Sequence, residues 1–184
     1  LPEKKLKELC GKTMVKVCGI TNEKDCLDAA SLGADIIGLN FYPKSPRFLS
    51  VAEAKKIADK VRSRALVAGI FVNEKKSSVN SIAKEVGLDL LQFSGSESPE
   101  YANGFSLPVI KAVHIENKNS LASAKLFCAP FIMVDSKTES LFGGTGKSVD
   151  EKLLDRDKLS GFALVFSGGL NAGNVGSIIR KYRP

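Results

Sequence analysis

The 184 residues, 43% of them hydrophobic and 26% charged, suffice for one domain with a substantial core. The net charge of +7 suits anionic partners such as phosphorylated metabolites, but the Lys and Arg residues are scattered with Glu and Asp interspersed and form no aromatic-interleaved basic run of the RNA-binding kind, which argues against a nucleic-acid surface. No stretch reaches the roughly 18 apolar residues of a membrane span, and Leu1-Pro2-Glu3-Lys4-Lys5 continues in alternating charge instead of the apolar run of a signal peptide, so a cytoplasmic protein is expected.

Residues 1–13 read as an amphipathic N-terminal extension (Leu6, Leu9, Cys10), and 14–184 as a single domain. A first apolar strand at 14–17 leads into Cys18-Gly19-Ile20-Thr21. Thr21 or Asn22 caps a helix through Leu32, and Gly33 ends it. A strand follows at Ile36–Asn40. Ser50 caps a helix over Val51–Val61, with Glu53 completing a capping box. Then come a strand at Leu66–Phe71, a helix at Lys76–Val86 and strands at Leu90–Phe93 and 109–113. A helix at 121–127, strands at 131–134 and Ala163–Phe166, and a helix at 174–182 complete the series. Each strand run is short and apolar, as in a parallel strand buried on both faces.

Repeated strand–helix units of roughly 20–35 residues make this an α/β chain. With no Gly-x-Gly-x-x-Gly after the first strand, a (β/α)8 barrel is favoured over a doubly wound sheet. Function in such a fold gathers at the carboxyl ends of the strands. Those ends carry Cys18, Asn40, Asn73, Gln92-Phe93-Ser94, Asp135 and Ser167-Gly168-Gly169. A thiol at Cys18 and a carboxyl at Asp135, at the ends of two strands, are groups for moving protons across one pocket.

The loop Phe41-Tyr42-Pro43-Lys44-Ser45-Pro46-Arg47 restrains its chain with two prolines and offers Arg47, whose planar fork matches a carboxylate. An ordinary surface turn explains the loop equally well. Gly143-Gly144-Thr145-Gly146-Lys147-Ser148 is not a nucleotide phosphate loop, because it lacks the first glycine at the right distance before Gly146-Lys147-Ser148. It reads as a glycine-rich flap beside Asp135. Gly168 and Gly169, ahead of a helix, let an anion approach backbone N–H groups. The lone His114 reads as structural. With one histidine and no Cys-x-x-Cys, the four cysteines argue against structural zinc; Cys10, Cys26 and Cys128 read as packing residues.

These motifs, in this order, resemble phosphoribosylanthranilate isomerase of tryptophan biosynthesis. The resemblance runs from Met14 to about Asn174. It rests on Met14-Val15-Lys16-Val17-Cys18-Gly19-Ile20-Thr21, the Arg47 loop, Phe71-Val72-Asn73, Asp135 with the glycine-rich flap, and Ser167-Gly168-Gly169-Leu170-Asn171. It implies a TIM barrel and an Amadori rearrangement, in which an N-glycosidic aldose becomes a ketose. Cys18 would be the general base and Asp135 the general acid. Arg47, Gln92, Gly144, Gly168 and Gly169 would bind the phosphorylated small-molecule substrate. It implies no metal or organic cofactor and either a monomer or a homodimer. A thiol must ionise to act as a base, and a carboxyl must hold its proton to act as an acid. The related sugar-phosphate isomerase of histidine biosynthesis would carry aspartates at both positions, and Cys18 argues against it.

The sequence departs from the family in three places. Ser94 stands where Gln-Leu-His-Gly would place histidine, and Glu151 stands where a tryptophan follows the flap. The third is the absence of the family's eighth β/α unit after Lys181-Tyr182-Arg183-Pro184. A barrel of seven strands would leave open edges. Three accounts fit: a tail not included in this sequence, cover from residues 1–13, or a decayed, non-catalytic barrel that keeps a phosphate pocket.

Overall fold

The computed structural model describes residues 12–114, 124–135 and 163–184, with only the backbone of His114 and Asp135. The chain divides into two compact units. The first comprises Leu1–Phe93 with Ser106–Pro108, the second Ser94–Phe105 with Val109–Pro184.

In the first unit the elements are β1 (Lys16–Cys18), α1 (Glu23–Ser31), β2 (Ile36–Asn40), α2 (Val51–Val61), β3 (Leu66–Phe71), α3 (Lys76–Val86) and β4 (Leu90–Phe93). The strands pair in parallel and in chain order, with Cys18 opposite Gly38, Gly38 opposite Ala68 and Ile70 opposite Gln92. All six residues of β3 are buried, as expected of a central parallel strand covered on both faces. Ala54, Ala58 and Val61 of α2 and Val79 and Val86 of α3 are fully buried. The reciprocal Ser50–Glu53 capping box starts α2 by satisfying backbone N–H groups of its first turn.

The register of this unit is fixed by a device used twice. The Asp35 N–H donates to the Val15 carbonyl at 2.9 Å while its carboxylate accepts the Val15 N–H at 2.9 Å. Asp89 does the same with Val67, at 2.8 Å and 2.9 Å. Each aspartate heads its strand, two residues after the glycine that closes the preceding helix, and clamps both backbone groups of one residue on or beside the neighbouring strand. A one-residue slip would leave a partly buried carboxylate and a peptide group mismatched, which is costly. Burial pushes the Asp35 carboxyl upward, but its hydrogen bonds from Lys12 and the Val15 N–H outweigh this and lower its pKa.

The second unit holds α4 (Pro99–Ala102), β5 (Val109–His114), β6 (Phe131–Asp135), β7 (Ala163–Phe166) and α5 (Val175–Tyr182). Its strands also pair in parallel and in chain order, with His114 opposite Asp135 and Val134 opposite Phe166. Val113, Ile132, Val134 and Tyr182 form its core with Phe127, Leu164, Phe166 and Ile178.

The expected alternation of parallel strands and helices is therefore present in both units. One expectation fails: β1 and β7 are not buried on both faces. Every residue of β7 is partly exposed, and Val15, just before β1, is 54% exposed. Among the described residues each of these strands has a parallel neighbour on one side. The helix expected at 121–127 lies partly outside the described residues, as do 1–11 of the extension.

Candidate functional site

β1 ends in Cys18, and its thiol is exposed. Two glycines set its surroundings. A Cβ on Gly38 would lie 3.0 Å from Cys18 Sγ and 3.2 Å from Cys18 Cα. Only hydrogen at that position lets the thiol rest against β2. Gly19 has a φ of 83°, which favours glycine, and its N–H donates to the Gly38 carbonyl at 3.0 Å. A Cβ on Gly19 would lie 2.5 Å from Cδ and 2.9 Å from Nη1 of Arg47. The Arg47 side chain thus crosses the backbone one residue from the thiol. A nucleophilic or basic sulfur and a cation that can fork a carboxylate are brought together by the two glycines between them.

Arg47 is exposed at the end of a loop held by side chains as well as by its prolines. Asn40 accepts the Tyr42 N–H at 2.8 Å and donates to Ser45 Oγ at 3.1 Å, and the Arg47 N–H donates to the same Ser45 Oγ at 3.2 Å. The Leu49 N–H returns to the Asn40 carbonyl at 2.9 Å. Asn40, read only as one of the strand-end residues, and Ser45, read only as part of the loop, together brace the backbone that carries Arg47.

Phe41, Phe71 and Phe93, at the ends of β2, β3 and β4, form a row of buried rings with centroids 5.2 Å and 6.3 Å apart. Gln92 lies beside Phe93 on β4 and is 5% exposed. An amide buried in a strand of Leu and Phe is a position where packing alone would favour carbon.

In the second unit, Asp135 is the last residue of β6. The Ser167 N–H donates to the carbonyl of Val134 at 3.1 Å, so the loop after β7 opens beside the end of β6. Gly168 and Gly169 are consecutive left-handed residues, with φ of 82° and 64°. Asn174 closes their loop: its Nδ2 donates to the Gly169 carbonyl at 2.8 Å and its Oδ1 accepts the Asn171 N–H at 2.8 Å. Asn171 answers by accepting the N–H groups of Gly173 at 2.9 Å and Asn174 at 3.2 Å. The fixed loop runs directly into α5, whose N-terminal dipole favours an anion.

Cys18, Gly19 and Arg47 thus meet in the first unit, and Asp135 adjoins the Gly168-Gly169 loop in the second. Gly144 and its flap lie outside the described residues. Among the other cysteines, Cys26 is fully buried, and burial raises its pKa. Cys128 is exposed and is not a packing residue; its N–H donates to Asn103 Oδ1 at 2.8 Å, a contact that fixes the backbone and leaves the thiol outside. Among the described residues no helix is long and apolar enough to cross a membrane.

Comparison with known proteins supplies the family. The model of the N-(5'phosphoribosyl)anthranilate (PRA) isomerase family matches residues 15–184. N-(5'-phosphoribosyl)anthranilate isomerase of Pseudomonas syringae pv. tomato is 38% identical over 176 residues, covering 92% of this chain and 82% of that protein. The crystal structure of phosphoribosyl anthranilate isomerase from Thermotoga maritima superimposes with a TM-score of 0.82 at 36% identity, over 94% of this chain and 84% of that one. A structure of phosphoribosyl anthranilate isomerase in complex with reduced 1-(o-carboxyphenylamino)-1-deoxyribulose 5-phosphate gives 0.76 at 35% identity, over 94% and 84%. The α/β-barrel class expected from the sequence is the class of these relatives, and the chain belongs to the N-(5'-phosphoribosyl)anthranilate isomerase family.

Proposed function

We propose that the chain converts N-(5'-phosphoribosyl)anthranilate into 1-(2-carboxyphenylamino)-1-deoxyribulose 5-phosphate, with Cys18 as general base and Asp135 as general acid. Asp135 gives its proton to the ring oxygen as the C1'–O bond breaks, leaving an iminium at C1'. Cys18, as thiolate, takes the proton from C2', and the electron pair of that C–H bond neutralises the iminium. The resulting enaminol tautomerises to the C2' ketone. The reaction is internally balanced, and the protein's residues move only protons. Arg47 takes the anthranilate carboxylate, Gln92 contributes a buried amide, and the N–H groups of Gly168 and Gly169 take part of the phosphate, with Gly144 on the flap.

The observation that carries this reading is the exposed Cys18 thiol, seated on Gly38 beside Arg47 at the end of β1, in a chain of this family. A test of the whole reading is turnover of freshly generated phosphoribosylanthranilate, followed by loss of its fluorescence. Measurable turnover is expected. No turnover, with retained binding of a phosphorylated product analogue, would instead establish a binding protein with a decayed catalytic site.

The seat itself makes a separate prediction. Gly38→Ala places a methyl against Cys18 Sγ and Cα, and because the Cα belongs to the backbone the thiol must shift by some tenths of an ångström. Proton abstraction is sensitive to such a shift, so kcat should fall about tenfold or more, with KM little altered. Parental kcat in this variant would show that the thiol's seat does not matter to the reaction.

A further inference from the structure

The second unit contains a charged cluster that the proposed chemistry does not use. Lys111, in the middle of β5, is 4% exposed, and Glu97, in the segment between β4 and α4, is 8% exposed. Lys111 Nζ lies 2.7 Å from Glu97 Oε2 and donates to the Gly95 carbonyl at 2.7 Å. Glu97 Oε1 in turn accepts the Gly95 N–H at 3.2 Å. The ammonium also lies over the Phe127 ring, 5.8 Å from its centroid. Both polar groups of Gly95 are therefore held, one by each member of the ion pair.

Stability alone gives a poor reason for this arrangement. Val109, Ile110, Ala112 and Val113 around Lys111 in β5 are all buried, and two charges placed among them lose hydration that their attraction only partly returns. An apolar side chain would serve a packing role at lower cost. What Lys111 does, and Leu or Met cannot, is hold a backbone carbonyl of the loop that begins at Ser94, directly after Gln92 and Phe93. We propose that Lys111 is a positioning residue: with Glu97 it pins the Gly95 peptide, and so fixes the loop after β4 in the conformation that binds substrate. This rests on the isomerase reading for its effect on turnover, but not for the pin itself.

The test uses the full chain with Lys111→Met and with the double substitution Lys111→Met/Glu97→Met, which removes both the donor to the Gly95 carbonyl and the acceptor of the Gly95 N–H. The single variant leaves a buried carboxylate without its ammonium, and should lose thermal stability. The double variant removes both charges and should recover most of the lost Tm. Its loop is nevertheless unpinned, so KM for phosphoribosylanthranilate should stay raised about fivefold or more with kcat little changed, and amide exchange at Gly95 should be about tenfold faster than in the parent. Recovery of Tm together with parental KM and parental Gly95 exchange would overturn the proposal and leave a purely structural pair. In the parent alone, the Gly95 amide should exchange as slowly as the amides of β5; exchange as fast as an open loop would also overturn it. An inactive parent would sink the isomerase reading, while the exchange measurements would still decide the pin.

Discussion

Cys18→Ala is expected to lower kcat by about 10²- to 10⁴-fold, the range associated with a well-placed proton-transfer group. KM should change by less than about threefold, because the thiol acts on the C2' proton only as it leaves and adds little to ground-state binding. The fold should not suffer. Cys18 is exposed at a strand end, so truncation opens no cavity, and stability should stay within about 0.5 kcal/mol of the parent. The other thiols provide an internal control. Cys26 is fully buried, and burial raises its pKa, so it is both shielded and short of thiolate at neutral pH. Cys128 is exposed, as Cys18 is. Iodoacetamide should therefore label Cys18 and Cys128 ahead of Cys26, and a bound product analogue should protect Cys18 while leaving Cys128 reactive. Activity of Cys18→Ala within tenfold of the parent, or inactivation that tracks Cys128, would remove Cys18 from the role of base.

Much of this arrangement could be read from the sequence, and the limits of that reading have physical causes. The spans of β2, β3, β4 and β7 and of α2 and α3 are those expected, because continuous apolar runs and a Ser50–Glu53 cap are local signals. β1 was expected at 14–17 and lies at Lys16–Cys18. Val15 is apolar but sits before the strand, where Asp35 holds both of its backbone groups. That clamp and its twin at Asp89 escaped notice because a polar residue ahead of an apolar run reads as a mere flank. The helix at Pro99–Ala102 was also missed, although Ser98 caps it and Pro99 opens it in the usual order. In the site, Cys18, Arg47 and the paired glycines announce themselves by residue type. Gly38 does not: its importance comes from the register that sets it opposite Cys18, and register is a property of two strands. Lys111 was hidden for the same kind of reason. The run 109–113 reads as buried on both faces without any sign of what its lysine meets, and the pairing with Glu97 shows how Lys111 is accommodated there.

Asp135→Asn is the companion substitution, with an expected loss in kcat of about 10²- to 10⁴-fold. The amide has nearly the volume of the carboxyl and can still donate a hydrogen bond to the ring oxygen, so substrate affinity should be largely kept. What it cannot do is surrender a proton as the C1'–O bond breaks. The two variants should therefore stall at different steps, and isotopic substitution tells them apart. With Cys18 replaced, ring opening proceeds and removal of the C2' hydrogen limits the rate, so deuterium at C2' should slow turnover. With Asp135 replaced, ring opening itself becomes limiting and occurs before that hydrogen is touched, so the same deuterium should have almost no effect. A full C2' isotope effect in Asp135→Asn, or kcat within tenfold of the parent, would mean that the proton for ring opening comes from another group. The division of labour rests on chemical order: the C2' proton becomes acidic only once the iminium has formed, so the base depends on the acid having acted first.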